Sequence, residues 1–153
     1  MSGGIFLGNE ILDISIVAAF TAQFWKVISP IFKGKRPKWD RMWQTGGMPS
    51  SHSSAVTSLA TSVAILNGLK SVEFAICVVF SIIIMYDAAG IRRAAGKHAG
   101  ILNNIMDILK EKEDLKIKQT QLKELLGHEP IEVIAGAILG VAVSIAMIDY
   151  LRG

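Results

Sequence analysis

Four apolar runs, 11–32, 53–69, 72–91 and 131–151, fill more than half of the 153 residues and limit what this chain can become. Runs of this kind cross a bilayer as helices, because only a helix pairs every backbone N–H and C=O within one segment where water is absent. The second and third are short for a bilayer, and their interfacial flanks can extend them. The expected fold is all-α: a membrane helical bundle of about four transmembrane helices, forming one domain over 1–153. A hydrophobic share of 51% and a mean hydropathy of +0.43 fit that class. The net charge is only +3, so the pI near 9.1 comes from clustered bases. Those bases sit at membrane boundaries with no aromatic stacking platform, which argues against a nucleic-acid partner. Cys77, the single cysteine, lies inside an apolar run and is read as a packing residue. The first nine residues lack a basic n-region and a cleavage site, so no removable signal peptide is expected.

The first run carries Asp13, Gln23 and Lys26. Ionisable groups at membrane depth are costly and usually face a bundle interior or a polar cavity. Lys26 is close enough to the end of its run to snorkel to the interface instead. Trp25, Trp39 and Trp43 stand where interfacial anchors belong. A basic stretch from Lys33 to Arg41 follows, with Arg36 and Arg41 among its bases. The second run is rich in serine and threonine, which favour close helix packing. The third ends in Tyr86-Asp87-Ala88-Ala89-Gly90-Ile91-Arg92-Arg93, where buried Asp87 should pair with Lys26, Arg92 or Arg93. Residues 104–126 are charged, with apolar Ile108, Leu115 and Leu122 at heptad spacing. They read as an amphipathic interfacial helix, lying on the membrane or packing against a second copy.

Two blocks carry chemistry. Gly46-Gly47-Met48-Pro49-Ser50-Ser51-His52 precedes the second run. Its glycines allow close backbone approach, and Pro49 suits a first helical turn. Amides near Ser50 to His52 would face outward at a positive helix end, an anion site beside a titratable imidazole. Gly127-His128-Glu129-Pro130-Ile131-Glu132 opens the fourth run. Taken singly, His128 reads as a solvated cap. With Glu132 four residues on, one helical turn away, it reads as an imidazole whose tautomer and basicity are set by a carboxylate. Alternating spans bring both blocks, the basic stretch and Arg92-Arg93 to one membrane face. Excess bases mark that face as cytoplasmic, with both termini outside. Two imidazoles, arginine forks and a helix N-terminus suit phosphoryl transfer without a metal. Glu132 makes His128 the better nucleophile and leaves His52 as general acid.

In chain order, the block from Gly46 to His52, the stretch from Tyr86 to Arg93 and the block from Gly127 to Glu132 resemble the divergent membrane branch of the type-2 phosphatidic acid phosphatase superfamily, related to acid phosphatases and vanadium-dependent haloperoxidases. The resemblance covers nearly the whole chain. It implies that His52 protonates the leaving group, that His128 with Glu132 supplies nucleophile and orienter, and that Arg92 or Arg93 holds phosphate. Lys26, Arg36, Arg41, Ser50 and Ser51 complete the expected phosphate-binding set, with Gly46, Gly47 and Asp87 as support. The sequence departs from the parent pattern in several places. Ser51 replaces a glycine, Glu132 an aspartate, and Ser29 stands at the first block's lysine position, which Lys26, Lys33 or Arg41 would then fill. Arg92 to His98 repeats the parent arginine-to-histidine spacing, yet Leu102 stands where a carboxylate belongs, so His128 is preferred to His98. The implied activity is a lipid-phosphate phosphatase in a cell or plastid-type inner membrane. Its substrate would be of the phosphatidylglycerophosphate, phosphatidate or polyprenyl phosphate type, with no cofactor. The alternative is a non-catalytic lipid-phosphate binding or transport protein using the same pocket. Four spans are fewer than parent membrane enzymes usually have, which leaves a homodimer to complete the fold.

Overall fold

The computed structural model of the protein describes residues 4, 6–34, 36–37, 39–42, 47–113 and 128–152. All regular structure among these residues is helical. Each helix begins where its sequence supplies a cap. α1 spans Glu10–Ile28, and Asn9 accepts the Leu12 amide at 3.1 Å ahead of it. Short 3-10 turns follow at Ser29–Lys33 and Trp39–Met42. α2, Ser51–Asn67, is capped by Ser50, whose hydroxyl accepts the Ser53 amide at 3.3 Å. It stops at Gly68, whose φ of +84° is open to glycine and strained for other residues. α3, Val72–Tyr86, starts behind Ser71, which accepts from Phe74 at 3.2 Å. α5, Pro130–Ala146, opens with proline in its first turn and a reciprocal cap between Glu129 and Glu132. A short α6, Ile148–Arg152, closes the description.

The break expected after the third run does not occur. α3 passes through a π-helical turn, Asp87–Ile91, directly into α4, Arg92–Glu113. Hydropathy changes there, but helix-forming alanines at 88, 89, 94 and 95 surround the two glycines and no proline intervenes. The amphipathic helix expected at 104–126 therefore begins at Arg92, and 114–127 lie outside the described residues.

α2 is the central helix, in contact with α1, α3 and α5. The Ser54 hydroxyl donates to the Ala18 carbonyl at 3.0 Å across the antiparallel α1 seam. Ser81 donates to the Val56 carbonyl at 3.0 Å across the α3 seam. Against α5 the packing is parallel and closest of all. Ser50, Ser54 and Ser58 face Gly136, Gly140 and Ser144 at matching four-residue steps. Thr57 donates to the Ala137 carbonyl at 3.1 Å, and the Ser58 and Ser144 hydroxyls meet at 2.9 Å. This is how a helix so rich in hydroxyls can occupy an apolar bundle, with most of those groups bonded to a neighbouring helix or to its own preceding turn. α3 is the peripheral helix, and of its residues only Ser81 is buried.

Among the described residues, two helical segments are long and apolar enough to cross a membrane, Glu10–Phe32 and Val72–Gly90, while Pro130–Ala146 is a shorter apolar helix. The C-terminal end of α1, the π turn and the starts of α2 and α5 meet at one end of the bundle. The Ser50 amide donates to the Glu132 carbonyl, and the His128 amide donates to the Ala88 carbonyl, both at 2.9 Å.

Candidate functional site: a histidine pair over a buried lysine

His52 is the second residue of α2, and His128 stands two residues before α5. Their ring centroids lie 6.1 Å apart with planes inclined at 66°. The two imidazoles are unequal. His128 is only 3% exposed, so the solvated cap that its local sequence suggested is replaced by a buried ring. His52 is exposed. The His128 Nδ1 lies 3.0 Å from Glu132 Oε2, and the same oxygen accepts the Glu129 amide at 3.1 Å. A carboxylate held by its own helix start thus fixes the His128 ring and favours the tautomer that carries its proton on Nδ1.

Lys26 stands at the same end of the bundle, in the last turn of α1. It is 2% exposed, so it does not snorkel, and among the described residues its ammonium has no hydrogen-bond partner. Of the three bases expected to pair with Asp87, Lys26 is therefore not hydrogen-bonded to it. Its aliphatic stem lies under Gly47, where an added Cβ would sit 3.8 Å from the Lys26 Cδ. Gly47 has φ of +83°, which suits glycine and turns the chain over the lysine. The negative charge of Glu132 acts on Lys26 across the site. Ser53, fully buried one residue after His52, and Gln23 on α1 each hold a side-chain oxygen with no partner among the described residues.

Ser50 is buried and spends both its amide and its hydroxyl on structure, the first on Glu132 and the second on the Ser53 amide. That leaves Ser51, half-buried at the first position of α2, as the better placed of the two serines for an anion. Arg36 is exposed between the two 3-10 turns. Asp87 opens the π turn, half-buried. Gly46 and the side chains of Arg41, Arg92 and Arg93 lie outside the described structure, although the backbone places Arg92 and Arg93 next to the π turn that touches His128. His98 is exposed on α4, and the ring facing His52 belongs to His128.

Sequence reasoning missed three participants. The Ala88 carbonyl that receives the His128 amide leaves no side-chain signal. The orphaned Ser53 hydroxyl was grouped with helix-packing serines. Gly136 has with Gly140 the small-residue spacing of a close helix contact, which does not name its partner on α2.

Fold and site together define a class: a helical membrane protein with paired imidazoles at one end of its bundle. A family profile described as the divergent PAP2 family matches residues 7–143, and the chain belongs to that family. It is also similar to the "Uncharacterized membrane protein YuiD" of Bacillus subtilis (strain 168), with 41% identity over 150 residues, covering 92% of this chain and 95% of that protein. No solved structure matches the chain.

Proposed function

We propose that the protein is an integral membrane lipid-phosphate phosphatase working through a phosphohistidine. The observation that carries this reading is the His52–His128 pairing at 6.1 Å, with Glu132 behind the buried ring. Family membership supports the reaction class, and the apolar bundle supports a lipid substrate.

With Nδ1 committed to Glu132, Nε2 of His128 is the attacking nitrogen. It forms a bond to phosphorus as the bond to the leaving oxygen breaks, and protonated His52 gives that oxygen its proton. Neutral His52 then takes a proton from water as the water oxygen attacks the phosphohistidine. Inorganic phosphate leaves, His128 is restored and His52 is again protonated. Lys26 draws the anionic phosphate to the site, and the Ser51 amide at the start of α2 adds a backbone donor. Arg92 and Arg93 supply guanidinium clamps, and Arg36 and Arg41 add further positive charge. In this reading α2 and α5 complete a four-helix crossing, the site faces the cytoplasm, and a second copy of the chain packs alongside.

The test is phosphate release from phosphatidylglycerophosphate, phosphatidate and polyprenyl phosphate in detergent, with orthovanadate and a chelator as controls. Turnover of at least one, blocked by vanadate and indifferent to the chelator, is the expected result. Saturable binding of lipid phosphate without release from any of them would replace the enzyme with a binding or transport protein.

A further inference from the structure

His52 rides on α2 and His128 is tied to the start of α5, so something must hold those helices in register at the site. One backbone bond joins the two helix starts directly: the Ser50 amide donates to the Glu132 carbonyl at 2.9 Å. Ser50 caps the helix that carries His52, and Glu132 is the residue that orients His128. One turn along α5 from Glu132 stands Gly136, buried against the α2 start. A Cβ at 136 would overlap the Ser50 carbonyl oxygen and lie 3.0 Å from both the Ser50 nitrogen and the Ser53 Cβ. Two of those three neighbours are backbone atoms and none is the end of a flexible side chain, so the α2 start would have to move.

We propose that Gly136 is a positioning residue for the histidine pair. Its missing side chain lets the Ser50–Ser53 turn seat against α5 at the height where the Ser50 amide reaches Glu132, and that seat sets the distance from His52 to His128. The inference rests on the phosphatase reading, and its content is specific. The His128–Glu132 couple lies within the start of α5 and survives a shift of α2. His52 does not survive it, so a side chain at 136 removes the proton donor and spares the nucleophile.

Gly140 is the natural control. A Cβ there would also overlap α2, at the Ser54 carbonyl and the Thr57 hydroxyl, and would lie 2.9 Å from the Ser58 nitrogen. It is one turn farther from the histidines, so Gly140→Ala reports damage to the helix seam without the same leverage on His52.

The experiment compares two soluble phosphomonoesters, one with an alkyl alcohol as leaving group and one with a nitrophenol. The alkoxide needs a proton as it leaves and the nitrophenolate does not. In Gly136→Ala, the single-turnover rate of leaving-group release from the alkyl ester, which reads phosphohistidine formation apart from the later hydrolysis, should fall about a hundredfold, the scale of a general acid's contribution. On the nitrophenyl ester it should fall no more than about threefold, the pattern also expected of His52→Ala. Gly140→Ala should lose stability and depress both esters in equal proportion. Equal losses on both esters in Gly136→Ala, or none, would overturn the proposal.

Should Gly136→Ala fail to fold, Ser50→Pro against Ser50→Ala isolates the tie itself. Ser50 has φ of −69°, which proline accepts, and both variants lose the capping hydroxyl while only proline also loses the amide. The alkyl-selective loss should appear in Ser50→Pro and be absent from Ser50→Ala, and its absence from both overturns the proposal. Imidazole NMR in detergent separates this inference from the reaction. If wild type releases phosphate from neither ester and from none of the lipid phosphates named above, the phosphatase reading fails, and the positioning claim is decided by ring coupling alone. His128 signals should then respond to His52→Gln in wild type and ignore it in the Gly136→Ala background; an unchanged response in both overturns the claim.

Discussion

α1 buries an ionisable side chain at each end, and the two have opposite surroundings. Asp13 and Lys26 are each 2% exposed. Asp13 accepts the Phe6 amide at 3.1 Å, the Leu7 amide at 3.0 Å and the Tyr150 hydroxyl at 2.7 Å. Lys26 has no hydrogen-bond partner among the described residues. A buried charge is tolerated only when it is paired or hydrogen-bonded, so Asp13 is explained by the protein's own atoms and Lys26 is not. The difference separates a charge that holds the fold together from one that, in the proposed reading, is left for an anion. It also separates the two ends of the bundle, since the histidines share their end with Lys26, while at the other end Tyr150 of α6 is fastened to Asp13.

The sharpest test of that division removes the imidazoles. His128→Ala should reduce phosphate release to background, and His52→Ala should cost about 10²–10⁴-fold on alkyl esters. Thermal unfolding in detergent should barely change for His52→Ala, because that ring is exposed. Activity comparable to wild type in either variant would strip the Lys26 end of its role.

Asp13→Ala is the reciprocal test at the far end. Three hydrogen bonds to a carboxylate are lost and their donors stranded, so stability should fall by about 3 kcal/mol, read by thermal or denaturant unfolding. Catalytic rates of the folded fraction should stay near wild type. A selective loss of rate with stability intact would mean that the two ends are not separate.

Much of this was legible in the chain, and the part that was not has a physical cause. Asn9, Ser50, Ser71 and Pro130 announce helix starts through their own side-chain chemistry, and the helices begin there. The meeting of His52 and His128 followed from counting alternating helices, which needs no knowledge of packing. The run-on from α3 into α4 did not follow, because a change in polarity alone does not stop a helix that has no breaker. Facing was the other blind spot. The sequence places Lys26 near the end of a span but cannot say which way it points, and Asp13 shows no sign of Tyr150, 137 residues away. The small-residue spacing of Gly136 and Gly140 signals a close neighbour without naming it.

Lys26→Met sharpens the comparison further. The substitution keeps the packed stem and removes the ammonium, and replacing a buried charge with an apolar group of similar volume is neutral or stabilising. Unfolding temperature should hold or rise, while orthovanadate should bind about tenfold to a hundredfold more weakly, the scale of one charged contact in a desolvated site. A variant that loses stability and keeps its vanadate affinity would make Lys26 a structural charge like Asp13.

Tyr150→Phe carries the smallest expected effect and asks whether the far end is assembled as described. The phenol is one of three donors to Asp13, and the other two are backbone amides from the turn before α1. Removing it leaves the carboxylate two partners and the ring's packing intact, so the loss should be about 1 kcal/mol, near the value of one hydrogen bond. In Asp13→Ala the same substitution should cost almost nothing, because the hydroxyl no longer has its acceptor. That non-additivity is the signature of a direct contact, and a double-mutant cycle of unfolding free energies measures it. Additive losses would mean that the hydroxyl stabilises α6 by some other route, and that Asp13 relies on the backbone of residues 6 and 7 alone.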